Sequence, residues 1–198
     1  MNTQILTWLL AVPAVAALVI LAFPRSWETG IRRFSVGAMM VELVLSLRLV
    51  FADYSGAGYN FVEHIAWVES FGISYKLGVD GLSLWLVVLT TALSPVALYA
   101  SWGSVTKSIK EYAFSFLLLE LGMLGAFLAL DLFLFYVFWE LMLVPMYLII
   151  GVWGGKDRVY AAVKFFIYTM VGSLLMLVAV LYVVSSYEQL AGHYTFDL

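Results

Sequence analysis

Apolar residues fill this chain in six long runs, and polar residues are concentrated in the gaps between them. The runs cover residues 5–23, 34–52, 82–102, 112–130, 132–151 and 159–185. Each is close to the roughly 20 residues that an α-helix needs to cross a hydrocarbon core. The pattern predicts an all-α fold, a polytopic transmembrane helix bundle of about six spans, as one membrane domain over residues 1–198. No basic segment precedes the first run; its first bases, Arg25, Arg32 and Arg33, come after it. A retained anchor is therefore expected rather than a cleaved leader.

One gap is long. In residues 53–80, Gly56 and Gly58 open the segment. Ser70-Phe71-Gly72 then separates Ala66-Trp67-Val68 from Ile73-Ser74-Tyr75-Lys76-Leu77. Turn residues between two short extended runs predict a short surface hairpin. Residues 187–198 read as the start of a further outer loop.

Composition sharpens the class. With 64% hydrophobic and 12% charged residues in 198, a water-soluble fold of this length has no means of hiding its apolar surface, whereas a lipid-solvated one need not. There is no cysteine, which removes disulfides, thiolate metal sites and iron–sulfur ligation from this chain. No run of Lys or Arg suggests nucleic acid. His64 and His193 stand alone, so no metal site is expected, and Gly154-Gly155-Lys156-Asp157 lacks the spacing and the Ser/Thr of a phosphate loop.

The charges in the gaps are sorted. Arg25, Arg32, Arg33, Lys107, Lys110, Lys156 and Arg158 follow the first, third and fifth runs. Asp53, Glu63, Glu69, Asp80, Asp131, Glu188 and Asp197 follow the others, with Lys76 the one base there. The positive-inside rule places the amino terminus outside and the basic loops in the cytoplasm or its equivalent. Trp27, Trp102 and Trp153 fall at the same inner boundary, where an aromatic belt belongs.

Five charged residues fall inside the runs. Arg48 lies near an end and can snorkel to water. Glu42 is deeper, and either pairs with another subunit or faces a polar cavity. Glu140 has no acid or base within eight residues on either side. At a helix centre an acid costs roughly 2.5–3.5 kcal/mol even on permissive insertion scales, so a chain that keeps one has a partner or a proton for it. Glu120 is about as far before the short turn at Asp131 as Glu140 is after it, which puts both at nearly one depth in antiparallel neighbours. Lys164 either snorkels inward or approaches the Glu140 region. Glu140, Glu120 and Lys164 are the candidate proton-transfer residues. Pro145 frees the carbonyl of Leu141 beside Glu140, as a packing kink or as a polar lining; Pro95 has no charged neighbour and reads as a kink. Gly122, Ala126, Gly172 and Ser173 read as close helix-packing positions.

Several stretches carry a resemblance. Leu77-Gly78-Val79-Asp80-Gly81-Leu82-Ser83-Leu84, Phe138-Trp139-Glu140-Leu141-Met142-Leu143-Val144-Pro145-Met146-Tyr147, Gly151-Val152-Trp153-Gly154-Gly155 and Ala161-Ala162-Val163-Lys164-Phe165-Phe166-Ile167-Tyr168-Thr169 resemble the antiporter-like subunits of respiratory complex I. The Leu-Val-Pro-Met-Tyr run favours the chain M (mitochondrial chain 4) type over chains L and N. The match is most specific over residues 77–177. The resemblance implies an amino-terminal part of a proton-translocating membrane-arm subunit, cut inside the first of two inverted five-helix repeats. It makes Glu140 the fifth-helix glutamate and Lys164 the sixth-helix lysine. It also implies no redox chemistry on this chain, with NADH, FMN, iron–sulfur clusters and quinone in partner subunits. Chains L and N would be its neighbours in a bacterial inner or plasma membrane. Two other readings stay open: a monovalent-cation/proton antiporter subunit, which shares the fold, and a membrane scaffold that transports nothing.

Overall fold

The computed structural model describes residues 4–52, 54 and 58–197. Asp53 and Gly56 of the long gap, and Leu198, lie outside them. Six helices form where the apolar runs predict them: α1 Ile5–Ala22, α2 Glu28–Leu49, α3 Gly81–Ala100, α4 Ile109–Leu128, α5 Leu132–Trp153 and α6 Arg158–Ala191. Between α2 and α3 the hairpin is present, as β1 Asn60–Val68 and β2 Ile73–Val79. The strands pair antiparallel with His64 opposite Lys76 and Ile65 opposite Tyr75. Gly72 closes the turn at φ 65°, and a Cβ there would strike the backbone of Tyr194.

Among the described residues five of the six helices are long and apolar enough to cross a membrane; α2 is not. It starts six residues before the expected span, taking in Glu28, Arg32 and Arg33, and it also carries Glu42 and Arg48. Its neighbours account for its presence in the bundle, since α1, α3 and α4 pack around it. The other departure is α6, which runs to Ala191 rather than ending near residue 185. At 1.5 Å per residue its 34 residues extend about 51 Å, more than the ~30 Å hydrocarbon core.

The residues after α6 also differ from the open loop expected of them. They fold back onto the hairpin and the start of α5. The Leu132 amide donates to the Phe196 carbonyl (2.8 Å), the Phe196 amide donates to the Gly72 carbonyl (3.3 Å), and Lys76 pairs with Asp197 at 2.8 Å. Asp131 is the centre of this junction. Its Oδ1 caps α5 by accepting from the amides of Phe133 (2.9 Å) and Leu134 (3.0 Å), and its Oδ2 accepts from the Ser74 amide at 2.8 Å. The opposite end is tied as well. Arg32 donates to the carbonyls of Trp102 (2.5 Å) and Val105 (2.6 Å), Lys110 to those of Leu21 (2.7 Å) and Phe23 (2.8 Å), and the Trp153 indole to that of Lys107 (2.8 Å). The three basic connections therefore share one end of the bundle.

Two apolar clusters fill the interior. One joins Leu6, Leu9, Val87, Leu124 and Leu128 near the hairpin, and the other joins Ala17, Ile20, Ile31, Met39 and Leu117 near the basic end. Where α4 meets α5, Gly122 lies under Met142 and Gly125 under the Phe138 ring, with no room for a Cβ. Gly172 was expected to pack in the same way, but open space surrounds it. It lies on the outer face of α6, against which none of the described elements is laid.

Candidate functional site

Helix register decides which of the charged groups meet. The packing of Gly122 and Gly125 against Phe138 and Met142 sets Glu120 and Glu140 within about 3 Å of one another along the bundle axis. They nonetheless face different ways. Glu120 turns toward α2 and α3, and it is fully buried. Glu42 of α2, also fully buried, meets it there, so that the two carboxyl groups lie against one another with Ser94 beside Glu120. None of the four carboxyl oxygens has a hydrogen-bond donor in good geometry. Glu42 was expected to look to another subunit or to a polar cavity; instead it finds the carboxyl of Glu120 within its own chain. Spacing within one helix could not show this, because the contact joins residues 78 positions apart.

The surroundings of this pair are polar along one seam. Glu42 and Ser46 share a face of α2 at i, i+4, and Thr91 and Ser94 share a face of α3 at i, i+3. The hydroxyls of Ser46 and Thr91 bond across the seam at 2.7 Å. All four residues are buried. Thr91 also bonds to the carbonyl of Val87 at 3.1 Å, and Ser46 to that of Leu43 at 2.9 Å.

Glu140 sits in another environment. It is half-buried on α5, and its Oε1 is enclosed without a hydrogen-bond partner. Tyr136, one turn earlier, contacts both Glu140 and Ser173 of α6. This places the carboxyl at the α5–α6 boundary. Lys164 does not join it. The Tyr147–Phe166 ring contact (5.6 Å) and the approach of Ala162 to Gly151 fix the α5–α6 register and put Lys164 level with Ile149. That is about 13 Å along the axis from Glu140, beyond the roughly 6 Å reach of a four-carbon stem. Lys164 is exposed, with Nζ 5.8 Å from the centroid of the Tyr160 ring. It lines an open groove of about 730 Å³ with Val163, Ile167, Tyr168 and Val171. Of the two readings open for Lys164, this placement fits snorkelling, since a lysine nine residues out of register does not reach Glu140 within this chain. Arg48 is exposed near the end of α2, as snorkelling requires.

Outside the spans, Glu63 of β1 has a role that a count of loop acids could not show. It accepts from the amides of Leu6 (2.8 Å) and Thr7 (3.0 Å) and from the Thr7 hydroxyl (2.5 Å). A side chain from the hairpin thus caps α1, whose own Gln4 makes no cap bond. Asp80 caps α3 by reciprocal bonds with Ser83. The Ser83 backbone amide, then its side chain, hold the Asp80 carboxyl below the usual aspartate range.

Six packed helices, five of them long and apolar enough to cross a membrane among the described residues, define a polytopic membrane helix bundle that holds carboxyl groups at mid-helix depth. Residues 19–131 match the family described as NADH-ubiquinone oxidoreductase chain 4, amino terminus, and residues 129–194 match the transmembrane family of NADH:quinone oxidoreductases and Mrp antiporters. The chain belongs to the chain 4 family. It is 47% identical over 178 residues to NADH-quinone oxidoreductase subunit M of Rhodobacter capsulatus, covering 89% of this chain and 34% of that protein. It is 41% identical over 178 residues to NADH-ubiquinone oxidoreductase chain 4 of Arabidopsis thaliana, covering 89% and 36%. A chain of respiratory complex I from Thermus thermophilus with bound NADH superposes with TM-score 0.79 at 28% identity, over 98% of this chain and 38% of that one. A chain of the Mrp complex from Dietzia shares the fold, with TM-score 0.74 at 22% identity, over 96% and 20%. The chain spans about a third of the length of these curated relatives.

Proposed function

We propose that this chain is part of a proton-translocating membrane-arm subunit of an NADH–quinone oxidoreductase, in which Glu140 loads and releases a proton. The observation that carries the reading is the position of Glu140. Its carboxyl stands at mid-helix depth with one enclosed oxygen unpartnered, beside Tyr136 and Ser173, at the edge of the bundle. An acid kept there at a cost needs a proton or a cation, and an edge position lets another protein element bring one. Glu120 and Lys164 are supporting groups. Glu120 lies at the same depth, and Lys164 stands in a groove open to an added helix.

The remaining parts follow from the same reading. No redox group belongs to this chain; NADH, FMN, iron–sulfur clusters and quinone belong to partner subunits, and chains of the L and N type flank it. The basic end, with Arg25, Arg32, Arg33, Lys107, Lys110, Lys156 and Arg158, faces the cytoplasm of a bacterial inner membrane, with the hairpin on the outer side. All six helices then span, α2 being sheltered by its neighbours.

The test is Glu140→Gln in the assembled enzyme. NADH-driven proton uptake into vesicles should be lost while the subunit still inserts and assembles. Pumping at the wild-type rate by that variant would remove the reading. Cation exchange without NADH in the same vesicles would favour the antiporter alternative, to which the family shared with Mrp proteins also points.

A further inference from the structure

We infer that Glu42 and Glu120 form a single proton-holding site in the α2–α3–α4 seam, a carboxyl pair that keeps at least one proton shared between its two side chains at neutral pH. The site is separate from Glu140, which lies at the same depth but looks out between α5 and α6. The inference does not rest on the transport reading, since it concerns the resting protein.

The argument starts from an imbalance of donors and acceptors. Two fully buried carboxyl groups lie together, and among the described residues the Ser94 hydroxyl beside Glu120 is the one donor near their four oxygens, none of which it engages in good geometry. Were both ionised, two like charges would share one buried pocket, an arrangement carboxyl pairs avoid by keeping a proton. A proton on either group turns one oxygen into a donor for the other carboxyl. A second proton makes the exchange reciprocal and engages all four oxygens. A shared proton thus supplies the donors that the single hydroxyl beside the pair does not.

Among the described residues no cation of this chain competes for the role. Neither α1 nor α3 carries a charged residue. On α2, Arg32 is held by the carbonyls of Trp102 and Val105, Arg33 belongs to the basic end and Arg48 is exposed. On α4, Lys110 is held by the carbonyls of Leu21 and Phe23, and Glu111 pairs with Arg25 at 2.8 Å. Glu140 is turned to α6. The polar neighbours are hydroxyls: Ser94 beside Glu120, with Ser46 and Thr91 bonded to each other one turn away. This line of hydroxyls gives the pair a polar surround without a counter-charge.

Infrared titration of the full chain in lipid bilayers, with ¹³C-carboxyl glutamate, tests the pair. The wild type should show a protonated-carboxyl absorption that shifts with the isotope, exchanges with deuterium and disappears in the Glu42→Gln, Glu120→Gln double variant. It should titrate in two steps separated by more than about one pH unit, the mark of coupled sites. Either single glutamine variant should collapse the two steps into one, while E140Q leaves both in place. If one single variant fails to fold, as judged by circular dichroism, the other reports on the same coupling. Absence of that absorption overturns the inference. So do two steps of which each single variant removes one and leaves the other unmoved. Carboxylate bands that respond to sodium but not to pH also overturn it, by making the occupant a metal cation.

Discussion

The two carboxyl sites sit at one depth in one bundle, yet the chain encloses one and leaves the other at an edge. In the seam of α2, α3 and α4, Glu42 and Glu120 are completely covered, and α3 and α4 bury 33% and 50% of their most apolar 18 residues. On the flank, α5 and α6 bury only 17% and 11% of theirs. Glu140 reaches that flank, and Lys164 lies on its outer face. The difference separates two ways of keeping an acid in a membrane. A closed pair answers its own hydrogen-bonding demand with a proton. An acid at the edge leaves the demand to whatever packs against it.

The comparison can be broken most directly by a double-mutant cycle in the seam. Glu42→Leu alone, or Glu120→Leu alone, strands the remaining carboxyl and should lower stability by about 1–3 kcal/mol. Replacing both removes the demand altogether and should be nearly neutral, so the coupling between them should be about as large as the two single losses together and opposite in sign. Glu140→Leu should cost less than either single change, because its carboxyl already reaches the edge. Denaturant unfolding in detergent or bilayers measures all four. Additive losses at Glu42 and Glu120 would show that the two side chains are not one unit.

Glycine replacement sharpens the same contrast at the level of packing. Gly125 lies under the Phe138 ring with no space for a methyl group, and Gly125→Ala should destabilise by about 1–3 kcal/mol through overpacking. Gly172 meets open space, and there an alanine should gain about 0.5–1 kcal/mol of helix stability in the isolated chain. The two changes are chemically identical, so opposite signs in unfolding midpoint would follow from the surroundings alone. If Gly172→Ala stabilises the isolated chain but weakens its association with other membrane-arm subunits, the open face of α6 is where they dock.

Much of this architecture was legible in the sequence because bilayer thickness sets helix length, and apolar runs of that length announce themselves. The runs beginning at residues 82 and 132 fall within one residue of the helix starts at Gly81 and Leu132. What the pattern could not carry was facing. Glu42 and Glu120 are joined by the way three helices rotate against each other, and no spacing within α2 or α4 encodes that rotation. Lys164 illustrates the reverse case. Its distance in sequence from Glu140 was compatible with contact, but the α5–α6 register, set by Gly151 against Ala162, carries it about 13 Å away. The extension of α2 back to Glu28 escaped notice because its first turns are charged, and a search for apolar runs begins only at Phe34. Glu63 was hidden for a similar reason. A strand residue that caps a helix 56 positions earlier leaves no local signature.

A local effect concerns the entry to α3, on the hairpin side of the bundle. Asp80 accepts from the amides of Leu82 (3.1 Å) and Ser83 (2.6 Å), and the Ser83 hydroxyl accepts from the Asp80 amide at 2.9 Å. Asp80→Ala should cost about 0.5–2 kcal/mol. The sign with pH follows from the bonds to Ser83, which hold the folded carboxyl below the ordinary value of about 3.9. The folded state then prefers the charged form, so this contribution is complete above the unfolded value and fades as pH falls through the lower, folded one. Asp80→Asn keeps a capping oxygen and loses the charge, so its unfolding midpoint should converge with that of the wild type in that acidic window. Glu42 and Glu120 lie beyond the reach of this cap. A wild-type midpoint that stayed level through the window while the Asn variant moved would mean that Asp80 binds its proton equally in both states.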